Sequence, residues 1–344
     1  MRVLVTGANG HLGFNLVSAL VDAGHSVRAS VRSVTDTSKT ARLRTFPGVD
    51  IVEAELSRSD QMKAAMDGME LVFHAAAVYA YVTTGRTQEI FESSVKGAEM
   101  VMQCAADTGV RKVVLTSSVV TLPLTLPGAP PVDESQWTND LRVPYVRAKT
   151  EGEKTAWRVA GERNVNLVTI LPGAILGPGF ERNTPSIDLV EAMVLGGMRM
   201  AAPDTNFPLV DVRDVAAAHL LAAEQDCSGR FIVCNDVLPS FRDMLQVLHA
   251  LDPAVPLPLL TLPDFLVPLM PMFDRLNHRM LHSPRTVSAE LMGMLKGKRW
   301  NASNRRIKET LGWQQTVPMR KCLADTLAAL RQRQHAGSAA LHPA

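Results

Sequence analysis

A tyrosine and a lysine lie four residues apart in the segment Tyr145-Val-Arg-Ala-Lys149. Residues spaced in this way share one face of a helix, and Pro144 suits the first position of that helix. A tyrosine hydroxyl is a poor acid-base catalyst at neutral pH, because its ordinary pKa is about 10. A nearby ammonium group stabilises the phenolate and lowers that pKa toward the working range. The pair is therefore predicted to move a proton.

A run of hydroxyl residues, Thr116-Ser117-Ser118, could orient the group that receives this proton. The run ends a predicted strand, and open α/β sheets bind their ligands at such strand ends. We expect Ser118, with Ser117 as the second choice, to hydrogen-bond a substrate carbonyl. A hydroxyl that only caps the strand end is the alternative.

Three glycines at the start of the chain, Gly7, Gly10 and Gly13, follow an apolar strand and open a helical pattern. Without Cβ atoms the turn can be tight, so that the backbone can approach a pyrophosphate. The N-terminus of the following helix offers free N–H groups and a partial positive charge. This segment predicts a site for a nicotinamide dinucleotide.

The end of the second predicted strand indicates which dinucleotide binds. An NAD site usually places an acid there to accept hydrogen bonds from the ribose, but the nearest acid, Asp36, lies past the strand. Arg32 can instead form a charge-assisted fork with a 2′-phosphate, helped by Arg28 or Ser30. The sequence therefore favours NADP(H), with a solvated surface arginine as the alternative.

Residues at the other strand ends complete the predicted cofactor site. Small residues after the fourth strand would let a flat cofactor cross the sheet, while the adjacent His74 is expected to be structural rather than a base. Glu55 and Leu56 either flank the adenine or form a plain surface loop. The predicted cofactor contacts are Gly7, Asn9, Gly10, His11, Leu12, Gly13, Arg32, Glu55, Leu56, Ala75, Ala76, Ala77, Thr116, Tyr145, Lys149, Pro172 and Gly173.

Short apolar strands alternate with longer helical patterns in the first half of the chain. This alternation predicts an α/β fold with a Rossmann-type doubly wound parallel sheet and a smaller C-terminal substrate-binding lobe. The predicted helices are Leu12–Ala23, Gln61–Met66, Val95–Thr108 and Tyr145–Arg163. The predicted strands are Val3–Val5, Ser26–Val31, Asp50–Glu53, Leu71–Phe73, Lys112–Thr116, Leu167–Leu171 and, returning late, Arg230–Cys234.

The predicted domain division follows from this pattern. Residues 1–172 would form the NADP-binding Rossmann domain, to which residues 208–236 return. Residues 173–207 and 237–333 would form the substrate-binding lobe, and residues 334–344 a disordered tail. The stretch 253–271 is rich in Leu, Met and Pro, and either packs as ordinary core or forms an apolar substrate wall or lid.

Composition excludes several classes of protein. The 36 basic and 34 acidic residues give a net charge of +2, which makes no electrostatic case for nucleic acid or a membrane surface. The four cysteines have no CxxC spacing, so we expect reduced thiols, no metal site and a cytoplasmic protein. No apolar run approaches the length of about 20 residues that a membrane span needs, and the N-terminus does not read as a signal peptide.

Taken together, the motifs resemble an extended short-chain dehydrogenase/reductase of the NAD-dependent epimerase/dehydratase superfamily, and within it the dihydroflavonol reductase branch. The GxxGxxG spacing of the three glycines is typical of that family. The resemblance covers nearly the whole chain. It includes the strand end at Arg32, Phe73 to Ala76, Leu115 to Ser118, Tyr145 with Lys149, Pro172 to Pro178, Val210 to Ala216 with His219, and Arg305 to Trp313.

The resemblance implies that Ser118, Tyr145 and Lys149 form a catalytic triad, in which Tyr145 gives its proton to a carbonyl oxygen. Two places depart from relatives that carry asparagine: the segment Ser93-Ser94-Val95-Lys96-Gly97 on the helix before the fifth strand, and Ala174 after the sixth strand. The second departure, together with the apolar character of residues 253–273, weighs against a nucleotide-sugar substrate.

The expected function is an NADPH-dependent carbonyl reductase, or alcohol dehydrogenase, acting on a moderately apolar small molecule. Three alternatives stay open: a nucleotide-sugar epimerase or dehydratase with bound NAD, a 3β-hydroxysteroid dehydrogenase-like enzyme, and a non-enzymatic redox sensor. Homodimerisation through helices beside the sheet is expected by analogy with the fold. The expected substrate walls are Val119–Leu126, Tyr79, Tyr81, Phe180–Leu189 and Pro253–Pro271.

Overall fold

The computed structural model describes residues 1–76, 87–281, 285 and 288–341. Its strands are β1 (Arg2–Thr6), β2 (Ser26–Val31), β3 (Asp50–Glu53), β4 (Leu71–His74), β5 (Lys112–Thr116), β6 (Asn166–Pro172), β7 (Ala174–Leu176), β8 (Ala201–Pro203), β9 (Leu209–Asp211), β10 (Gly229–Val233) and β11 (Leu260–Leu262).

Helices cover the central sheet and form much of the remaining described chain. They are α1 (His11–Asp22), α2 (Thr37–Thr40), α3 (Ser59–Met66), α4 (Thr87–Asp107), α5 (Pro144–Arg163), α6 (Pro185–Val194), α7 (Val212–Glu224), α8 (Phe241–Leu251), α9 (Met270–Leu281), α10 (Ala289–Leu295), α11 (Arg305–Leu311) and α12 (Met319–Leu341). Short 3₁₀ helices span Leu43–Thr45, Val119–Thr121 and Asp264–Leu269.

The central sheet has seven strands in the order β10-β6-β5-β4-β1-β2-β3, and every neighbouring pair is parallel. The middle strands read as continuous apolar runs, such as Val3-Leu4-Val5, because helices cover both faces of the sheet. The strand order reverses beside β1, where sheets of this kind bind dinucleotides. The predicted Rossmann-type doubly wound sheet is confirmed, with the late strand β10 paired to β6.

Two buried clusters hold the helices to the faces of the sheet. On one face α1 packs over β1 and β2, and α7 packs over β5 and β6, around Leu16, Val215 and Phe73. On the other face α3, α4 and α5 pack around Met62, Met102 and similar apolar side chains. The sheet is thus buried on both sides, which leaves its strand ends as the place for a ligand.

The second half of the chain adds a third cluster around Met193, Leu245 and Leu323, contributed by α6, α8 and α12. Small parallel pairs, β7 with β9 and β8 with β11, extend from the end of the central sheet into this region.

Residues 305–313, assigned by sequence to the substrate lobe, pack against the sheet instead. Leu311 and Trp313 join the cluster that contains Phe231 of β10, and the Trp313 indole donates a hydrogen bond to the Asp214 carbonyl at 2.9 Å. The division into two domains therefore stays a prediction, with this segment on the side of the sheet.

Helix α12 extends through Leu341, into the segment 334–344 that was expected to be a disordered tail. That expectation rested on a terminal run of small residues, but alanine is the best helix former. No helix in the described part of the chain is long and apolar enough to cross a bilayer. All four cysteines are free thiols.

Candidate active site

The predicted site residues lie along the carboxyl ends of the parallel strands. The glycine turn follows β1, Arg32 follows β2, Glu55 follows β3 and Ala76 follows β4. Further along the same edge, Ser118 follows β5, and Pro172 and Gly173 end or follow β6. Because all these strands are parallel, the chain places the residues on one rim of the sheet.

The turn after β1 requires glycine for two separate reasons. Gly7 has a φ of +66°, and a Cβ there would lie 2.8 Å from the Ala76 Cα. A Cβ on Gly13 would lie 2.1 Å from the Gly7 carbonyl oxygen. Helix α1 begins directly afterwards with Gly10 as its N-cap and no side chain capping its N–H groups. These features fit a pyrophosphate held by backbone N–H groups.

The His11 ring contributes to structure, while its backbone opens α1. Its Nε2–H donates to the Pro178 carbonyl at 3.0 Å, and the ring meets Phe180 edge to face. Burial lowers the pKa of His11 to about 4, so the ring is neutral at neutral pH. The contact fastens the glycine turn to the segment after β7.

At the end of β2, the Arg32 side chain is exposed. Of the two residues expected to assist it, Arg28 is hydrogen-bonded to neighbouring groups and Ser30 is buried. Arg28 donates from Nε to the Asp50 carboxylate at 2.7 Å and from Nη1 to the Ala65 carbonyl at 3.0 Å. Ser30 is buried, with 1% of its surface exposed. Arg28 is therefore held away from the rim, whereas the Ser30 hydroxyl makes no hydrogen bond within the described chain, and its help to a phosphate stays a prediction.

Two positions after β3 and three after β4 were assigned to the cofactor. Glu55 is exposed and accepts a hydrogen bond from Ser57 at 3.3 Å, while Leu56 packs against Gly97 of α4. Ala75 and Ala76 lie at the rim, and Ala77 falls outside the described residues.

His74 at the end of β4 joins two strand ends rather than facing the rim. Its Nδ1 lies 2.8 Å from the Thr6 hydroxyl, which also accepts a hydrogen bond from the Ala76 N–H at 3.3 Å. Burial, and then the charge of Lys149, lower the pKa of His74 to about 3. The ring is therefore neutral, in agreement with the expectation of a structural role.

Ser118 caps the 3₁₀ helix that follows β5. Its hydroxyl accepts a hydrogen bond from the Val120 N–H at 3.3 Å, and the hydroxyl proton can be donated to a ligand. Ser117, the second choice, donates instead to the buried Glu153 carboxylate at 2.6 Å. The geometry therefore leaves Ser118 as the serine available to a substrate.

The Thr116 side chain is held by a hydrogen bond with His219 of α7. His219 Nδ1 lies 2.8 Å from the Val215 carbonyl and must donate to it, so Nε2 is the acceptor in the neutral ring. The Thr116 hydroxyl then donates to that nitrogen at 2.9 Å. Burial lowers the pKa of His219 to about 4, which keeps the ring in this neutral form.

Helix α5 carries Tyr145 and Lys149 on one face, as their spacing predicted. Pro144 occupies the first turn and Asn164 ends the helix in the left-handed region. Tyr145 is buried, and the Lys149 ammonium donates to the Thr116 carbonyl at 3.3 Å. Burial lowers the pKa of Lys149 to about 8, against the opposing effect of Glu153. Lys149 therefore stays mostly charged at neutral pH.

A buried ion pair beneath this lysine was missed by sequence reasoning. Glu153, one turn beyond Lys149, accepts hydrogen bonds from Arg230 Nε at 2.9 Å and from Thr169 at 2.7 Å. Arg230 of β10 also donates to the Thr121 hydroxyl at 2.8 Å and stacks 3.6 Å from the centre of the Trp137 ring. The pair links α5, β6 and β10 below the proton-moving residues.

A small cavity of about 20 Å³ lies between Lys149, Glu153, His74 and Ser94. Such a volume suits one water molecule. The Ser94 hydroxyl is buried and makes no hydrogen bond within the described chain. Ser94 belongs to the segment Ser93–Gly97, where the resemblance places an asparagine in many relatives, and it lies beside Lys149 at this cavity.

A larger apolar cavity opens beside Ser118 and Gly173. Parts of three predicted walls line it, through Val119, Leu189 and Val267, while Tyr79 and Tyr81 fall outside the described residues. Sequence reasoning missed the rest of the wall, because those residues come from separate loops and helices without a motif. The missed lining includes Met198, Phe207, Phe241, Leu291, Met292 and Trp300.

Comparison with known proteins identifies the family. Residues 3–234 match the model of the NAD dependent epimerase/dehydratase family. Cinnamoyl-CoA reductase 1 of Arabidopsis thaliana is 32% identical over 269 residues, covering 74% of this chain and 76% of that protein. Sterol demethylase protein B of Methylococcus capsulatus is 32% identical over 340 residues, covering 97% and 99%.

Among solved structures, the crystal structure of gox2253 has a TM-score of 0.81 and 27% identity, covering 96% of this chain and 98% of that chain. The similarity thus extends over the second half of the chain as well as the sheet. These matches confirm the resemblance drawn from the motifs: the chain belongs to the NAD dependent epimerase/dehydratase family, in the dihydroflavonol reductase-like branch of the extended short-chain dehydrogenase/reductases.

Proposed function

We propose that this protein is an NADPH-dependent reductase of moderately apolar ketones or aldehydes, which also catalyses the reverse oxidation of the alcohol. The observation that carries the proposal is the position of Ser118. It lines the apolar cavity and lies on the same rim as the glycine turn. A substrate in that cavity would meet a hydroxyl donor next to the cofactor cradle.

The residues divide the work of carbonyl reduction among themselves. The reduced nicotinamide supplies the hydride when it is bound. Ser118 donates a hydrogen bond to the carbonyl oxygen, and Tyr145 gives its proton to the same atom. The charged Lys149 stabilises the tyrosinate that results and holds the nicotinamide ribose. Orienting the two reactants in this way can remove about 7–11 kcal/mol of the barrier.

Names of relatives and the lining of the cavity support a reductase over a sugar-nucleotide enzyme. Several relatives are named cinnamoyl-CoA reductases, and one that covers 97% of this chain is named for a sterol. Ala174 lines the cavity at the place where sugar-nucleotide members carry asparagine, and most of the lining is apolar. The cofactor NADPH, rather than NADH, is proposed from the exposed Arg32 and the lack of an acid at the end of β2.

The test is NADPH consumption by the purified protein with a panel of aryl, steroid and aliphatic carbonyls. We expect turnover that falls by about 100-fold or more in Tyr145→Phe, because a positioned general acid contributes that much. Ser135→Ala, which removes an exposed hydroxyl away from the rim, should match the wild type.

Two results would contradict this proposal. Turnover that survives in Tyr145→Phe would exclude the tyrosine as the acid. No consumption of NADPH across the panel, together with NAD released on denaturation, would support an epimerase or dehydratase instead.

A further inference from the structure

Helix α9 leaves an apolar face exposed. Met272, Phe273, Leu276 and Met280 are 58%, 48%, 50% and 67% exposed, and their spacing puts them on one side of the helix. The opposite side packs inward, where the Asn277 amide donates to the Gly197 carbonyl at 2.8 Å. Aligned exposure of this kind differs from the scattered apolar residues of an ordinary surface.

Neighbouring segments continue this face. The contact between Asn277 and Gly197 brings the turn 197–200 against α9, and the Leu259 N–H donates to the Arg199 carbonyl at 3.1 Å. Leu260 of β11 pairs with Ala201, the first residue of β8, which directly follows this turn. We call the resulting set of exposed side chains the α9 face: Met200, Leu259, Leu260, Met272, Phe273, Leu276 and Met280.

Positive charge borders the α9 face. Arg275 and Arg279 are exposed on α9 next to the apolar stripe, and Arg199 is exposed on the adjoining turn. The acid of α9, Asp274, points inward, with 9% of its side chain exposed, and pairs with Arg285 at 3.3 Å. The net charge of the whole chain, +2, gave no reason to expect a membrane partner. That total does not reveal the local excess of positive charge beside the α9 face.

We propose that the α9 face binds the surface of an anionic lipid bilayer, with α9 lying in the plane of the interface. A helix with apolar residues on one side and arginines beside them is the pattern of an interfacial helix. Anionic headgroups would complement Arg199, Arg275 and Arg279. A second copy of this chain docked through the same face would bring those arginines together, which favours lipid over self-association.

The α9 face lies beside the substrate cavity, so membrane binding could serve substrate uptake. This part of the inference rests on the proposed function. Met270, at the first position of α9, lines the apolar cavity, and so does Met198 on the adjoining turn. The same two segments thus form the wall of the cavity on one side and the exposed face on the other. An apolar carbonyl compound dissolved in the bilayer would reach the cavity without crossing water.

The test is sedimentation of the full chain with vesicles, without cofactor or substrate. Vesicles of phosphatidylcholine and phosphatidylglycerol in equal parts should carry the protein down, and raised salt should release it. Vesicles of phosphatidylcholine alone should bind more weakly, by about fivefold for each of the three arginines that meets an anionic headgroup. Because no turnover is measured, failure of the reductase assay would leave this result standing.

Variants of the α9 face separate lipid binding from self-association and from contacts elsewhere on the surface. Phe273→Ser with Leu276→Ser should weaken vesicle binding by about tenfold or more, because two apolar side chains no longer enter the interface. Reduction of a water-soluble ketone should be unchanged. Val237→Ser, which alters an apolar residue 80% exposed outside the α9 face, is the matched control and should bind as the wild type does.

Three results would overturn the proposal. The wild type could stay in solution with both kinds of vesicle, or the double variant could bind vesicles as the wild type does. A wild-type dimer in solution that the double variant converts to a monomer would show that the α9 face joins two copies of the chain.

Discussion

At the scale of single residues, two opposing effects set the pKa of Lys149. Burial lowers its pKa to about 8, and the Glu153 carboxylate one turn along α5 works against that shift. The ammonium is present below that pKa and is lost as the pH rises through it. Since the proposed role of Lys149 needs the charged form, reduction should weaken above a pH of about 8.

Glu153→Gln should move this pH dependence in a known direction. Removing the carboxylate takes away the charge that raises the pKa of Lys149, so the decline in kcat/KM should begin at a lower pH. The measurement is the pH profile of reduction for the folded variant. Glu151→Gln, at a half-buried neighbour paired with Arg147, should keep the wild-type profile. Identical profiles for Glu153→Gln and the wild type would show that the carboxylate does not tune the lysine.

Arg32 carries the prediction of cofactor preference. Arg32→Gln should raise the KM for NADPH by about tenfold, because a charge-assisted bond to the 2′-phosphate is lost. The KM for NADH, which has no such phosphate, should hardly change. Arg111→Gln serves as the control, because Arg111 is exposed and precedes β5, at the end of the strands opposite the rim. An equal rise for both cofactors would contradict the assignment.

Local motifs predicted most of the rim residues, while contacts across the fold escaped prediction. Gly7 and Gly13 were recognisable because a strand and a helix flank them. Arg230 was invisible as a partner of Glu153, because 77 residues separate the two in sequence. The error over Arg28 has the same origin: Asp50, which engages it, belongs to the next strand.

At the scale of elements, the ion pair between Glu153 and Arg230 fastens α5 to β10. Arg230→Met should lower the free energy of unfolding by about 3–5 kcal/mol, because it leaves a buried carboxylate without its cation. Urea unfolding measures the loss. Arg158→Met, which breaks surface pairs with Glu162 of α5 and Glu99 of α4, should cost at most about 1 kcal/mol.

A double variant tests whether the unpaired charge is the cause. Adding Glu153→Gln to Arg230→Met should recover part of the lost stability, since a neutral amide tolerates burial better than a lone carboxylate. If the double variant were less stable than Arg230→Met alone, the loss would be attributed to packing against Trp137 instead.

Periodicity predicted the strands of the sheet to within a residue or two, but the lobe beyond it less well. Apolar strands with short turns give a strong signal, so β2, β3 and β5 have the bounds expected from sequence. The walls of the cavity come from loops and short helices whose arrangement depends on tertiary contacts. Residues such as Met292 and Trp300 therefore could not be assigned in advance.

At the scale of the whole molecule, three buried neutral histidines make the fold sensitive to acid. The pKa values of His11, His74 and His219 fall from 6.5 to about 4, 3 and 4 because of burial. Below pH 6.5 the unfolded chain takes up protons that the folded chain does not. Stability is therefore present above that pH and is lost as the pH falls from 6.5 toward about 4.

Each of these rings should cost about 1.4 kcal/mol of stability per pH unit in that window. The midpoint of urea unfolding should accordingly be lower at pH 5 than at pH 7. His219→Gln removes one of the three rings and should reduce the difference between the two midpoints. Equal midpoints at the two pH values for the wild type would refute the role of the three rings.

The distance in sequence between Glu153 and Arg230 also fixes an order of events during synthesis. When α5 and β6 have left the ribosome, neither Arg230, the partner of Glu153, nor the edge strand β10 has been synthesised. A nascent chain that ends near residue 172 therefore lacks β10 and the cation that Glu153 pairs with in the complete fold. Tyr145 and Lys149 are thus synthesised before β10, and the ion pair beneath Lys149 can form only after β10 emerges.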